Sequence, residues 1–242
     1  MTSTMLKWIA LFTMIIDHIG LLFFPQYTVL RIIGRISFPI FAFLLVQGFT
    51  RTHSRVKYAI RLGIFAIIAE IPYDLCFSRT MFNWNSQSVL LELFIGFLAL
   101  ICLEQCLKKN YLWIFGCALA ILLALITNAS YGIYGIVIIM AMFAFRKTRG
   151  ADVLAFIALT YAFYGIMDYS ISFLGESYTI LQTNSVQMYA CFAAVLLAIY
   201  NNKLGKKPSK WMFYIVYPVH LLVLWFLYYV LVIGTLPPFP FW

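Results

Sequence analysis

Long apolar blocks, each closed by a short polar or basic segment, recur along this chain from one end to the other. A bilayer's hydrocarbon core takes about 20 helical residues to cross. Nine blocks approach that length, at 6–24, 31–50, 58–77, 87–106, 111–128, 130–146, 151–168, 186–201 and 211–233. They predict an all-α fold, a polytopic transmembrane bundle that forms a single domain over 1–242. The two blocks that meet near Asn128 are closely spaced, and the eighth is short, as a tilted or extended helix would be. The stretch 169–185 is polar and carries only Glu176 as a charge; it is expected to be the longest outer loop and to lie over the mouth of any cavity.

Basic residues test that count, because an incorrect number of spans would put basic loops on both sides of the membrane. Arg51, Arg55, Lys57 and Arg61 follow the second block, Lys108 and Lys109 the fourth, Arg146, Lys147 and Arg149 the sixth, and Lys203, Lys206, Lys207 and Lys210 the eighth. With Lys7 at the start, that accounts for all of the 17 Lys and Arg except Arg31, Arg35 and Arg79. The alternation predicts a cytoplasmic N-terminus and an extracytoplasmic C-terminus.

Composition agrees with the pattern. At 64% hydrophobic residues, 10% charged residues and a mean hydropathy of +0.94, the chain has too little polar surface for a soluble globule of 242 residues. The formal net charge of +9 is spread over loops between spans, so it reads as topology and not as a nucleic-acid face. Phe23-Phe24-Pro25 ends the first block without a small-residue cleavage site, so that helix is expected to be retained. Five Cys lie in apolar stretches without metal-ligand spacing, and Cys102 and Cys106 share a helix face. No inverted pair of Gly- or Pro-broken spans points to a secondary transporter.

Ionisable groups inside spans cost about 2.5–3.5 kcal/mol each at a helix centre, so each one present needs a reason. Asp17 and His18 interrupt the first block; as neighbours they point about 100° apart and require separate partners. Arg31 and Arg35 enter the same outer layer from the next block, and an Asp17–Arg35 pair is expected, leaving His18 able to exchange protons. A helix-clamping ion pair beside a hydrogen-bonded His is the structural alternative. His220 follows Pro218 near the middle of the last block, where the proline strips a helix hydrogen bond and bends the chain. Glu92 lies near the outer end of the fourth block, as an acid at the cavity or an interfacial residue. Glu70 and Asp74 share a face of the third, as a cation or proton site would; the plainer expectation is that Asp74 reaches the outer interface beside Arg79. The scattered His residues give no metal site, and neither HExxH, GxSxG nor a phosphate-cradling glycine loop is present. The glycines of Ser130-Tyr131-Gly132-Ile133-Tyr134-Gly135 suggest close helix packing.

Taken in order, Met14-Ile15-Ile16-Asp17-His18-Ile19, Gly34-Arg35-Ile36-Ser37-Phe38-Pro39, Arg51 with Arg61-Leu62, Ser130-Tyr131-Gly132-Ile133 and Tyr217-Pro218-Val219-His220-Leu221 resemble the TraX family of conjugative pilin acetylases and their chromosomal relatives. The first two motifs are the specific ones, and the match spans almost the whole chain. The resemblance implies a multi-pass protein of the bacterial cytoplasmic membrane that moves an acetyl group from cytosolic acetyl-CoA to an acceptor amine or hydroxyl, on a peptide such as pilin, a glycan or a lipid. Carried onto this chain, it places the active site at Asp17, His18, Arg35 and His220. Where the family pattern is expected to have an Asn ahead of the fourth span, this chain has Asn83, Asn85 or Gln87, followed by Glu92.

The residues fit that chemistry in their own right. Acyl transfer from a thioester needs a base for the acceptor and a cationic or hydrogen-bonding group for the oxyanion. His18 or His220 can serve as base, Arg35 or Arg31 as stabiliser, and Asp17 as orienter. Arg31, Glu92 and Tyr217 are the candidates to contact substrate. Arg51, Arg55, Lys57 and Arg61 lie where the phosphates of CoA would arrive, although positive-inside topology alone also accounts for them. Two other classes remain open from the residues: a proton-coupled transporter or flippase with Asp17, His18 and Glu70 as relay, and a structural subunit of a conjugation or secretion complex. Self-association as a homodimer is left open too.

Overall fold

A computed structural model of the chain describes residues 1–148, 150–165, 169–173, 176–181, 185–206 and 211–234. Among them the helices form rods that match the nine apolar blocks. The first block is helix α1 (Ser3–Phe23), started by Thr2, whose hydroxyl accepts the backbone N–H of Met5. The second is divided into α2 (Thr28–Arg35) and α3 (Ser37–Arg51). Pro39 has no N–H to offer the carbonyl of Arg35, and the amide of Ile36 turns back to the carbonyls of Ile33 and Gly34 in a tighter turn than an α-helix makes. The division therefore falls beside Arg35.

α4 (Arg55–Phe77) is capped by Ser54 and contains Pro72; α5 (Val89–Leu107) follows. A short 3-10 turn, Tyr111–Trp113, leads into α6 (Ile114–Ile126), and then come α7 (Gly132–Phe145) and α8 (Ala151–Tyr164). The eighth block is broken into α9 (Ser185–Met188), a 3-10 turn Tyr189–Phe192 and α10 (Ala193–Ala198). The last is α11 (Met212–Tyr228), extended by a π turn Tyr229–Ile233.

Four rods are long and apolar enough to cross a bilayer: Ser3–Phe23, Thr28–Arg51, Val89–Leu107 and Met212–Ile233. α4 has the length, at 23 residues, but carries Arg55, Lys57, Arg61, Glu70 and Asp74. The rods Tyr111–Ile126, Gly132–Phe145, Ala151–Tyr164 and Val186–Ala198 are apolar but shorter. One expectation needs amending: the stretch read as an outer loop carries an antiparallel hairpin, β1 (Tyr169–Phe173) with β2 (Glu176–Leu181).

α3 is the hub, packed against α1, α5, α7 and α10. Its Phe38, Ile40 and Phe49 join Phe97 and Leu100 of α5, Phe143 of α7 and Phe156 of α8 in one buried cluster. A smaller cluster unites Ala99, Ala120, Ala124, Ile95 and Ile136, where small side chains let α5, α6 and α7 approach closely. Outward-facing positions are apolar too, among them Ile64, Ile67 and Ile71 of α4 and Phe115 and Leu119 of α6. In water that surface would drive aggregation; in lipid it is ordinary. The molecule is a membrane protein.

The two ends of the bundle differ. At one end Ser3 and Thr4 donate their amides to the carbonyls of Lys203 and Leu204, and Arg51 bonds Asn202. Arg55 and Lys108 are there with Glu104. At the other end Gln87 donates to the Asn128 carbonyl, Ser130 donates to that of Gln87, and Arg79 reaches the hydroxyl of Tyr228 at 2.6 Å.

Candidate functional site

The site grows from Asp17, buried in α1, with 7% of its surface exposed. Because α2 runs back against α1, residues one turn apart on α2 face the same carboxylate. Arg31 Nη1 donates to Oδ2 at 2.7 Å and Arg35 Nη2 to the same oxygen at 2.6 Å. The expected Asp17–Arg35 pair is therefore present, and Arg31 completes a triad with one positive charge in excess. Arg35 also extends Nη1 to Oε1 of Gln187 at 3.2 Å, tying α2 to α9. Gly34 lies between the two arginines, and any Cβ there would overlap Asp17.

His18 points elsewhere, as its position next to Asp17 demands. Its Nδ1 is 2.9 Å from Nε2 of His220, and the two rings are parallel within 3°. The Nδ1 of His220 lies 3.0 Å from the carbonyl oxygen of Val216, one turn back on α11. A carbonyl can only accept, so in the neutral pair the proton sits on His220 Nδ1 and His220 Nε2 is the acceptor. His18 must then donate from Nδ1. Its Nε2 is left with a free lone pair, which is the form of imidazole that acts as a base. The edge of Phe77 supports the ring at a centroid distance of 5.1 Å.

These groups line a cavity of about 410 Å³ at the end of the bundle away from the N-terminus. Asp17, His18, Arg31, Arg35 and Tyr217 all contribute to its wall. His220 is one layer back and reaches the cavity only through His18. Hydroxyls supply much of the remaining polar surface: Ser37, Tyr73, Ser86 and Tyr131. Tyr73 and Ser86 bond one another at 2.9 Å, and Tyr131 stacks on Phe38 at 3.8 Å. Tyr131 carries a local signal in the Ser-Tyr-Gly motif, whose glycines suggest helix packing and not a cavity wall. Tyr73 and Gln187 carried none.

Glu92 is placed differently. It is fully buried on α5, and its Oε2 accepts the amides of Tyr131 and Gly132 at 3.0 and 3.1 Å, capping α7. It is not part of the cavity wall. Glu70 does the same for α5, accepting the amide and hydroxyl of Ser88. Asp74 does not go to Arg79: it is 3% exposed and accepts the amide of Asn83 at 2.9 Å, while Arg79 lies over the ring of Tyr228. The loop 78–88 needs an acceptor for its amide more than the interface needs a charge.

The four basic residues proposed for the phosphates of CoA do not converge. Arg55 forms a two-point ion pair with Glu104, one arm at 2.8 Å, above the ring of Phe49. Arg61 lies between Tyr58 and Tyr214, at 5.4 and 5.6 Å from their centroids. Lys57 is exposed in the first turn of α4, and Arg51 faces Asn202. Among the described residues no group of three or more His, Cys, Asp or Glu could hold a metal ion, and Cys76, Cys102, Cys106, Cys117 and Cys191 are free thiols.

A family model described as "TraX protein" matches residues 2–228. A probable fimbrial assembly protein FimC, serogroup H1, of Dichelobacter nodosus is 28% identical over 238 residues, covering 90% of this chain and 92% of the relative. An uncharacterized protein RP591 of Rickettsia prowazekii (strain Madrid E) is 33% identical over 92 residues, 38% of this chain and 34% of the relative. No solved structure matches the chain significantly.

Proposed function

The chain belongs to the TraX protein family, and from that premise we propose that it is an integral membrane acetyltransferase, moving the acetyl group of acetyl-CoA to an acceptor amine or hydroxyl. The observation that carries this reading is the relay from the Val216 carbonyl through His220 to His18, set beside two guanidiniums in one cavity. A site built only to join helices has no need of an imidazole that lines a cavity with a second histidine behind it to set its tautomer.

In this reading the acceptor enters the cavity and gives its proton to Nε2 of His18 as its nitrogen or oxygen attacks the thioester carbonyl. The charge that forms on the carbonyl oxygen is met by a guanidinium N–H. Arg31 is the better placed, since its side chain is 26% exposed against 15% for Arg35. Collapse breaks the carbon–sulfur bond; the thiolate leaves and takes the proton back from His18. Asp17 holds both arginines, and His220 keeps His18 in its tautomer. Tyr217 and the hydroxyls of Ser37 and Tyr131 line the space left for the acceptor.

The nine rods would all cross the bacterial cytoplasmic membrane, with the basic end in the cytosol and the His18 cavity in the outer half. His18 lies fifteen residues along α1 from Ser3, about 22 Å at helical rise. The donor would therefore reach inward from the basic end. The similarity to a probable fimbrial assembly protein of Dichelobacter nodosus favours the N-terminal amine of a pilin-type subunit as acceptor over a glycan or lipid hydroxyl.

The test is turnover by purified protein in detergent, followed as release of free CoA thiol from acetyl-CoA in the presence of a pilin-type peptide. The reading expects turnover that His18→Ala lowers by roughly 10²- to 10⁴-fold. Proton-coupled uptake into liposomes without acetyl-CoA would replace it with the transporter alternative. Full biological function after combined Asp17→Asn and Arg35→Gln would replace it with the structural one.

A further inference from the structure

A second cavity, of about 930 Å³, opens at the basic end of the bundle. Phe43, Gln47 and Thr50 reach it from one face of α3, at the i, i+4, i+7 spacing of a single stripe. Phe38, which lines the His18 cavity, is five positions earlier and about 140° around the helix. The two cavities therefore lie on different faces of α3, and the second is no annex of the first.

Its rim carries two guanidiniums from different helices, Arg51 at the end of α3 and Arg146 at the end of α7. Among the described residues neither is ion-paired with a carboxylate, unlike Arg31, Arg35 and Arg55. Arg51 Nη2 rests on the carbonyl of Asn202 at 3.1 Å and on its side-chain oxygen; Arg146 Nη1 rests on the carbonyl of Phe143, with the guanidinium 3.6 Å from the centroid of that ring. Each therefore keeps donors free. Among the described residues the one acid in the wall is Asp152, whose Oδ1 accepts the amide of Val153 in the first turn of α8. Thr50, Thr148 and Asn201 add further polar groups, while Phe43, Val153, Leu154 and Leu197 form apolar walls.

We propose that this cavity is a phosphate-binding site, taking the phosphate of an amphiphilic or nucleotide ligand between Arg51 and Arg146. Two forked cations at a concave rim suit the tetrahedral oxygens of a phosphate mono- or diester. The apolar walls below suit whatever is attached to it. That chemistry is shared by an anionic phospholipid headgroup at the basic membrane face and by the nucleotide end of an acyl donor. The site stands whether or not the chain transfers acyl groups.

The full chain in neutral detergent is titrated separately with short-chain phosphatidylglycerol and with adenosine 3′,5′-bisphosphate, and binding is read from the shift in thermal unfolding. At least one ligand is expected to bind saturably, and Arg51→Gln with Arg146→Gln together to weaken it about tenfold or more, as loss of charge-assisted bonds should. Lys203→Gln, an exposed cation at the same end, is expected to leave affinity within about twofold. Response to the lipid alone assigns a headgroup site, and response to the nucleotide alone or to both assigns the donor's phosphates. Val153→Phe, which narrows the apolar wall without removing either charge, is expected to weaken the same ligand, and it provides the test if the double variant does not fold. Binding of neither ligand overturns the proposal, as does binding unchanged in both the double variant and Val153→Phe.

Discussion

Nδ1 of His18 and Nε2 of His220 lie 2.9 Å apart in parallel rings, and this contact makes the two histidines unequal. His220 is anchored by the Val216 carbonyl and set back from the cavity; His18 lines it. General-base catalysis contributes roughly 10²- to 10⁴-fold, so His18→Ala is expected to lower kcat by that order. His220→Ala removes only the orienting acceptor, and a loss of about 10- to 100-fold is expected by analogy with outer-shell partners elsewhere. His220→Gln, whose amide oxygen can still accept from His18 Nδ1, should recover part of it. The measurement is thiol release from acetyl-CoA. A larger loss in His220→Ala than in His18→Ala would reverse the two roles.

Gly34 and Asp17 are tied by space and not by a bond. A methyl on residue 34 would collide with Oδ1, Cβ and Cγ of Asp17, so Gly34→Ala should push α2 from α1 and pull Arg31 and Arg35 off the carboxylate. Asp17→Asn removes the charge and leaves the geometry. Breaking a buried ion pair from one side costs about 3–5 kcal/mol, and Asp17→Asn is expected at the low end because the amide oxygen still accepts. Thermal unfolding in detergent should show both variants destabilised. A fully stable Gly34→Ala would mean that the helices have room to part.

Glu92 is expected to matter for folding and little for chemistry. Its carboxylate caps α7 through the amides of Tyr131 and Gly132, and loss of a cap typically costs about 0.5–2 kcal/mol. Glu92→Ala should lower the unfolding temperature accordingly, with a further effect on KM only as far as Tyr131 moves. Glu92→Gln keeps one acceptor oxygen and should restore most of the stability. Normal stability of Glu92→Ala alongside lost turnover would return Glu92 to the substrate-contacting set.

Much of this was legible in the sequence, for a physical reason. Ionisable groups in apolar helices are costly enough that Asp17, His18, Arg35 and His220 stand out without any alignment, and three of the four meet in one cavity. The rods could be counted because apolar length and basic loops are independent signals that agree. What the sequence did not carry was pairing across distance. His18 and His220 are 202 positions apart, and nothing local in either motif says that their rings touch. Glu92 was ambiguous because a cap and a catalytic acid look alike when the capped helix is 40 residues away. The cluster at 51–61 looked like one patch because it is contiguous in sequence; α4 begins at Arg55 and turns its basic residues to different neighbours. The break between α2 and α3 could have been anticipated from Pro39.

Arg55 provides the test of that separation. It meets Glu104 through two bonds at the bundle's basic end, over the ring of Phe49, and Lys108 approaches the same carboxylate at 3.7 Å. Arg55 is 37% exposed, so the pair is worth the modest amount usual for accessible ion pairs, about 1 kcal/mol at most. A double-mutant cycle of Arg55→Ala and Glu104→Ala, followed by thermal unfolding, should give a coupling of that size that shrinks with added salt. If Arg55 serves only to hold Glu104, Arg55→Ala will leave the KM for acetyl-CoA within about twofold, and Glu104→Ala will not tighten it. A KM raised tenfold by Arg55→Ala, with no measurable coupling to Glu104, would instead put its guanidinium on the donor's phosphates.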